Sequence, residues 1–117
     1  MSQNMVGRAT EYRVKVGSRA TVYVNILDAA GTGKGLTDTA LYATATWKGW
    51  KPDGTLIING SCTFSDRDAG EIAYALTATD TALANAGNWE GEVEIKNSSS
   101  VMTEQSKTFN FIIEESY

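Results

Sequence analysis

The chain has 117 residues, with ten Lys and Arg against fourteen Asp and Glu for a net charge of −4, a length that makes one domain with a core sustained without a metal or disulfide. It contains no histidine, which excludes the usual general bases, nucleophile triads and His-containing metal sites. Its basic residues are scattered singly, unlike a nucleic-acid surface, and no apolar stretch approaches the roughly 20 residues that cross a bilayer.

The N-terminus lacks a positively charged segment followed by an apolar run, so no signal peptide is predicted. Residues 1–9 read as a flexible arm ahead of a domain over 10–117. Thr10–Val16 alternates Tyr12, Val14 and Val16 against Glu11, Arg13 and Lys15, which predicts a half-buried strand. Ala20–Leu27 sets Ala20, Val22, Val24 and Ile26 on one face and leaves Tyr23 on the other. Asp28–Thr39 is a Gly- and Thr-rich loop with Leu36 as its apolar anchor. Within it, Gly31-Thr32-Gly33-Lys34-Gly35 lacks the opening Gly of a phosphate loop, and Gly35 stands where Ser or Thr would bind magnesium. A flexible hairpin loop is the expectation.

Leu41–Trp50 alternates Leu41, Ala43, Ala45 and Trp47 inward against Tyr42, Thr44 and Thr46 outward. Lys51-Pro52-Asp53-Gly54 is a turn, with Pro presetting φ and Asp-Gly tolerating positive φ. Thr55–Asn59 and Ser61–Ser65 are short strands separated by Gly60. Cys62, the lone cysteine, reads as an apolar filler beside Phe64. It offers no intrachain bridge, so the fold suits a reducing compartment. Asp66, Asp68 and Glu71 form a compact acidic cluster, but without EF-hand spacing and with Arg67 among them turn chemistry is the expectation. The sequons Asn59-Gly60-Ser61 and Asn97-Ser98-Ser99 read as turn composition.

Glu71–Ala78 and Asn88–Lys96 are strands, with Trp89 in phase with inward neighbours. Between them Asp80–Ala86 reads as one short helical turn, N-capped by Thr79 or Asp80, with Leu83 plugging the core. Ser98–Ser100 is a polar turn, and Lys107–Glu114 closes the set with Phe109, Phe111 and Ile113 on one face. About seven or eight strands, each bounded by turn residues, predict an all-β sandwich or barrel, and the paired alternation about the Asn85–Trp89 corner favours an antiparallel β-sandwich. The chemistry calls for no catalytic residue, cofactor or metal. Tyr23, Tyr42 and Trp50 as outer-face aromatics, with Gly33 and Lys34 on the loop, are the candidate interaction residues. Pairing and assembly use such aromatics, and so does carbohydrate or cell-surface binding, which is the alternative function.

The Asn85-x-Gly87-x-Trp89-x-Gly91 spacing resembles the corner of immunoglobulin-type domains, with Trp in place of Tyr and Gly91 in place of the inter-sheet Cys. Over Tyr12–Glu114 the chain resembles more closely the Ig-like N-terminal domain of phage baseplate upper proteins and related tail or fibre modules. The shared pattern is Val22–Gly31, Leu36-Thr37, Pro52–Gly54, Gly70–Leu76, Ala86–Ile95 and Phe109–Ile113, in that order. The resemblance implies a non-enzymatic virion structural protein, made in the bacterial host cytoplasm without membrane insertion. It implies partners among other tail or baseplate proteins and a homo-oligomer. The contact elements expected are Met1–Ala9, Gly31–Gly35 and the Lys107–Ile113 strand. A chain this short lacks a fibre-like extension, which predicts a small free-standing tail or head accessory protein, or one decorating the virion surface.

Overall fold

A computed structural model describes residues 4–5, 11–51, 53–106 and 108–115. The strands are β1 (Asn4–Met5), β2 (Glu11–Lys15), β3 (Thr21–Asn25), β4 (Thr44–Trp50), β5 (Leu56–Ser61), β6 (Thr63–Asp66), β7 (Glu71–Ala75), β8 (Gly87–Lys96), β9 (Met102–Gln105) and β10 (Phe109–Glu114). They form two sheets. The first runs β1-β3-β7-β6; the second runs β2-β10-β8-β4-β5, with β9 also on β8. The order β3-β7-β6 against β10-β8-β4-β5 is the strand order of an immunoglobulin-like sandwich with an added edge strand. Of the expected arm over 1–9, only Asn4 and Met5 are among the described residues, and they pair in parallel with Tyr23 and Val24. No helix among the described residues is long and apolar enough to cross a membrane.

β8 is the spine of the second sheet. One edge pairs with β4 along Glu90–Lys96. The other is shared: β10 takes Gly87–Gly91 and β9 takes Glu94–Lys96. The register slips by one residue between the two partners. At the slip Ser106 substitutes for regular pairing, its N–H donating to the Val93 carbonyl at 2.9 Å and its Oγ accepting the Val93 N–H at 2.8 Å. This is why a buried serine follows β9, and why β9 does not show as apolar alternation in the sequence.

Aromatic rings fill the core. Trp47 on β4 is 1% exposed and stacks on Tyr74 of the facing sheet, with centroids 5.4 Å apart. Phe109, Phe111 and Tyr12 surround it at 4.9, 5.6 and 6.0 Å. Gly91 stands where antibody-type domains carry the inter-sheet cysteine, and the Phe109 ring occupies that space: a Cβ on Gly91 would lie 2.7 Å from Phe109 Cε1. The Trp89 indole Nε1–H donates to the Asn85 carbonyl at 2.8 Å, so Trp89 does the work of a tyrosine corner.

Several expectations are corrected. β4 starts at Thr44, because Asp38 caps a turn: its Oδ1 accepts the N–H groups of Ala40 and Leu41, and its carbonyl accepts that of Tyr42. That turn inverts the phase, so Tyr42 is buried and Leu41 exposed. The first strand of the Thr55–Ser65 pair runs through Gly60, and the break comes at Cys62, where the chain leaves the second sheet for the first. The sequon Asn59–Ser61 therefore lies in a strand; Asn97 does sit in a turn, its Oδ1 accepting from Ser99 and Val101.

The turn after β7 begins earlier than expected. Thr77 Oγ1 accepts the Asp80 N–H and the Asp80 carboxylate accepts the Thr77 N–H, a reciprocal capping box. Among the described residues the one 3-10 turn is Leu83–Asn85, without a side-chain cap. Leu83 is consequently 62% exposed, and Thr81, at 0%, takes the buried place with its hydroxyl donating to the Ser18 carbonyl.

Two hairpins share one loop geometry. Lys51 N–H donates to the Thr55 carbonyl and Gly54 N–H to that of Lys51; Asn97 and Ser100 repeat both bonds, to Val101 and Asn97. Pro52, expected to preset the first turn, lies outside the described residues. The residue ending each turn is left-handed: Gly54 at φ 91° and Ser100 at φ 63°. Glycine adopts that conformation freely, and a side chain is disfavoured there. Ser100→Gly is expected to stabilise the protein by up to about 1 kcal/mol, read from the midpoint of urea unfolding; a lower midpoint refutes the hairpin assignment.

Candidate interaction surfaces

The sequence-predicted residues separate into two groups. Gly33, Lys34 and Tyr42 come together at the end of the sandwich where β3 stops and β7 begins. Leu27 and Gly33 form an isolated antiparallel bridge, Lys34 N–H donates to the Ile26 carbonyl, and Asp28 N–H to that of Thr32. The Asp28 carboxylate accepts the N–H groups of Ala30 and Thr32. A Cβ on Gly33 would lie 2.2 Å from the Ala69 carbonyl oxygen, so this glycine serves close packing. Lys34 pairs with Glu104, and this partner, with Tyr42 nearby, holds the ammonium pKa above its usual range. The loop expected to be a flexible hairpin is bonded along its length.

Arg67 anchors the same end. Its guanidinium lies 3.9 Å from the Phe64 ring centroid and donates to the carbonyls of Leu36 and Tyr42 at 2.8 and 3.0 Å. The neighbouring carboxylates are used one at a time. Asp66 accepts from Ala69 N–H and Glu71 from the Ser65 hydroxyl. No three His, Cys, Asp or Glu side chains among the described residues converge as metal ligands.

Tyr23 and Trp50 remain at the surface, both half-buried. Tyr23 alternates with buried Val22 and Val24 on the first sheet, Trp50 with buried Trp47 and Gly49 on the second. They therefore lie on opposite outer faces and cannot stack on one ligand. Tyr42, expected as a third outer aromatic, is 8% exposed and belongs to the core.

The recess between Asn25, Asp28, Gln105 and Ser106 holds one carboxylate, already occupied as an Asx turn. Burial pushes the Cys62 thiol up to about 12, and its side chain packs partly buried beside the core, as does Phe64. A thiol raised in this way keeps its proton at neutral pH and is a poor nucleophile.

What sequence reading missed are the border strands. β1, β2, β5, β6 and β9 present their free sides to solvent or to segments outside the described residues. β2 is braced by charge: Arg13 contacts Glu11 at 2.6 Å and Glu114 at 2.8 Å, and Lys15 reaches Glu114 at 3.5 Å. Arg13 is the main cause that holds the Glu114 carboxyl below its ordinary range.

No family model matches the chain, and no curated protein matches it in sequence. Solved structures do match in fold. The N-terminal domain of phage TP901-1 ORF48 superposes with a TM-score of 0.65 at 16% identity, covering 87% of this chain and 82% of that one. CopC from Methylosinus trichosporium OB3b gives a TM-score of 0.52 at 13% identity, covering 94% and 89%. The fold is thus an immunoglobulin-like sandwich shared with a phage domain, as the sequence resemblance implies.

Two outcomes test the loop end and the thiol. Arg67→Ala is expected to lower unfolding free energy by about 2–3 kcal/mol, since two part-buried carbonyls lose their donor and Phe64 its cation; Arg67→Lys recovers only part, lacking the planar fork. Cys62 is expected to resist a disulfide reagent at pH 8 and to react on unfolding, where its pKa returns to about 8.5. Because the folded pKa is the higher one, the thiol's contribution to stability is complete below about 8.5 and falls as pH rises above it. Rapid native-state labelling at pH 8 contradicts the burial.

Proposed function

We propose that the protein is a structural module of a phage tail or baseplate, acting through protein–protein assembly without a catalytic step. The observation that carries this reading is the fold match over 87% of the chain to a domain of a phage protein. The ordered motifs over Tyr12–Glu114 support it from the sequence side. The composition agrees: a chain without histidine, with a protonated buried thiol, has surfaces to offer and no reactive group. Its place is the virion, and its partners are other tail or baseplate proteins.

The alternative, a carbohydrate-binding sandwich, needs exposed aromatics that act together. Tyr23 and Trp50 lie on opposite faces, which disfavours it. Immunogold labelling of purified phage particles with an antibody to this chain is expected to mark the tail or its tip. Particles that carry no label, together with glycan-array binding abolished by Trp50→Ala, overturn the assembly reading in favour of the alternative.

A further inference from the structure

Charge on a border strand keeps it from pairing with another copy. β2 carries Glu11, Arg13 and Lys15, β6 ends on Asp66, and β9 holds Glu104. β1 is uncharged but spans only Asn4 and Met5, and β5 is the longer border without such protection. From Thr55 to Thr63 the chain reads TLIINGSCT, with neither a charge nor a proline. β5 bonds to β4 on one side and, among the described residues, borders no strand on the other. Its bulge lies at the hairpin end, opposite Gly49 and Trp50, so Ile58–Ser61 pairs regularly.

The direction of the backbone groups follows from one bond. Cys62 N–H donates to the Ala45 carbonyl at 2.9 Å, in register with Trp47↔Gly60 and Gly49↔Ile58. Antiparallel ladders alternate bonded and non-bonded pairs. Ile58 and Gly60 therefore turn their N–H and C=O toward β4, and Asn59 and Ser61 turn theirs outward. The side chains divide in step: Ile58 is buried, Gly60 faces the Tyr74 ring, and Asn59 and Ser61 are exposed. The free edge thus presents backbone donors and acceptors flanked by small neutral side chains.

We propose that β5 is a self-association edge, to which a second copy of this chain adds its own β5 antiparallel across a twofold axis at Gly60. In this register Asn59 lies opposite Ser61 of the partner subunit and exchanges both backbone bonds with it. The glycines meet at the axis as a close, non-bonded pair. A second copy fits this edge because the register centred on Gly60 is self-complementary: exposed, uncharged Asn59 and Ser61 fall opposite each other and no charge meets its own copy. Arg13, exposed at the centre of β2, would meet its own charge on such an axis, and like charges directly opposite are destabilising. β5 meets none. The contact deepens the assembly reading and rests on it for its biological setting. So short an edge buries little area, so the dimer is weak and gains from the avidity of an array.

The test is the mass in solution by light scattering, from about 10 μM to about 1 mM protein. The wild type is expected to rise from monomer toward twice that mass. Asn59→Lys/Ser61→Lys and Asn59→Glu/Ser61→Glu change exposed positions, so each is expected to keep the far-UV spectrum of the wild type and remain monomeric. An equimolar mixture of the two is expected to return to dimer, since opposite charges then face across the edge. A wild type that stays monomeric throughout overturns the inference. So does a dimer that either doubly charged variant leaves intact, or a mixture that does not re-associate. A monomeric protein still found at the phage tail overturns this edge and leaves the assembly reading standing.

Discussion

Everything in this sandwich is arranged around the Trp47 ring. It lies at the middle of β4 and reaches across to stack on Tyr74, so one aromatic contact ties the two sheets where a disulfide does so in antibody domains. Other positions follow from it. Tyr74 can lie there only because Gly60 has no side chain: a Cβ would sit 2.4 Å from Tyr74 Cε1. Phe109 reaches Trp47 because Gly91 leaves room above β8. The Tyr74 hydroxyl then donates to Asp80 at 2.6 Å, the same carboxylate that closes the capping box with Thr77. Core and corner are one bonded unit.

The opposite end of the sandwich is closed by different chemistry. There the 28–42 segment folds back onto the β6–β7 turn, held by Arg67 and by Lys34 with Glu104. The Lys34–Glu104 ion pair is half-buried and still open to solvent, so salt weakens it. The Arg67 bonds are different, because they satisfy backbone carbonyls that the turn withdraws from water. Hydrogen bonds thus tie down loops at both ends of the sandwich, and its strand borders are where backbone groups lack a partner strand.

This division explains how far the sequence could be read. Period-2 alternation reports which side of a strand is wet, so Tyr12, Trp47, Trp89, Phe109 and Phe111 were legible as core, and the sandwich with them. Alternation fails where a side chain caps the backbone. Asp38 does this before Tyr42 and Thr77 before Leu83; in each case a short polar residue bonds nearby N–H groups and resets the phase. β9 was hidden for a related reason, because Met102, Thr103, Glu104 and Gln105 form a border strand end with an ion pair inside and no apolar face to show. Lys34 looked like a surface contact since its partner lies 70 residues away, beyond any local pattern. The free edge of β5 was equally invisible: which strand ends up at a border is a property of topology.

Borders then become the natural place to look for function in a protein of this kind. A catalytic site concentrates its free energy in a few perturbed groups, and here the perturbed groups are structural: the Tyr12 and Tyr74 phenols are raised chiefly by burial, and the Cys62 thiol likewise. An assembly module has the opposite requirement. Each contact must be weak enough that free copies remain separate, and repeated often enough that an array holds. Backbone pairing along a few residues meets that requirement, because each added bond contributes only about 1 kcal/mol net while symmetry multiplies the number of contacts. Packing around Trp47 and the bonds of Arg67 and Thr77 fix the core and both ends before any docking, and groups fixed beforehand lose less freedom when an edge pairs.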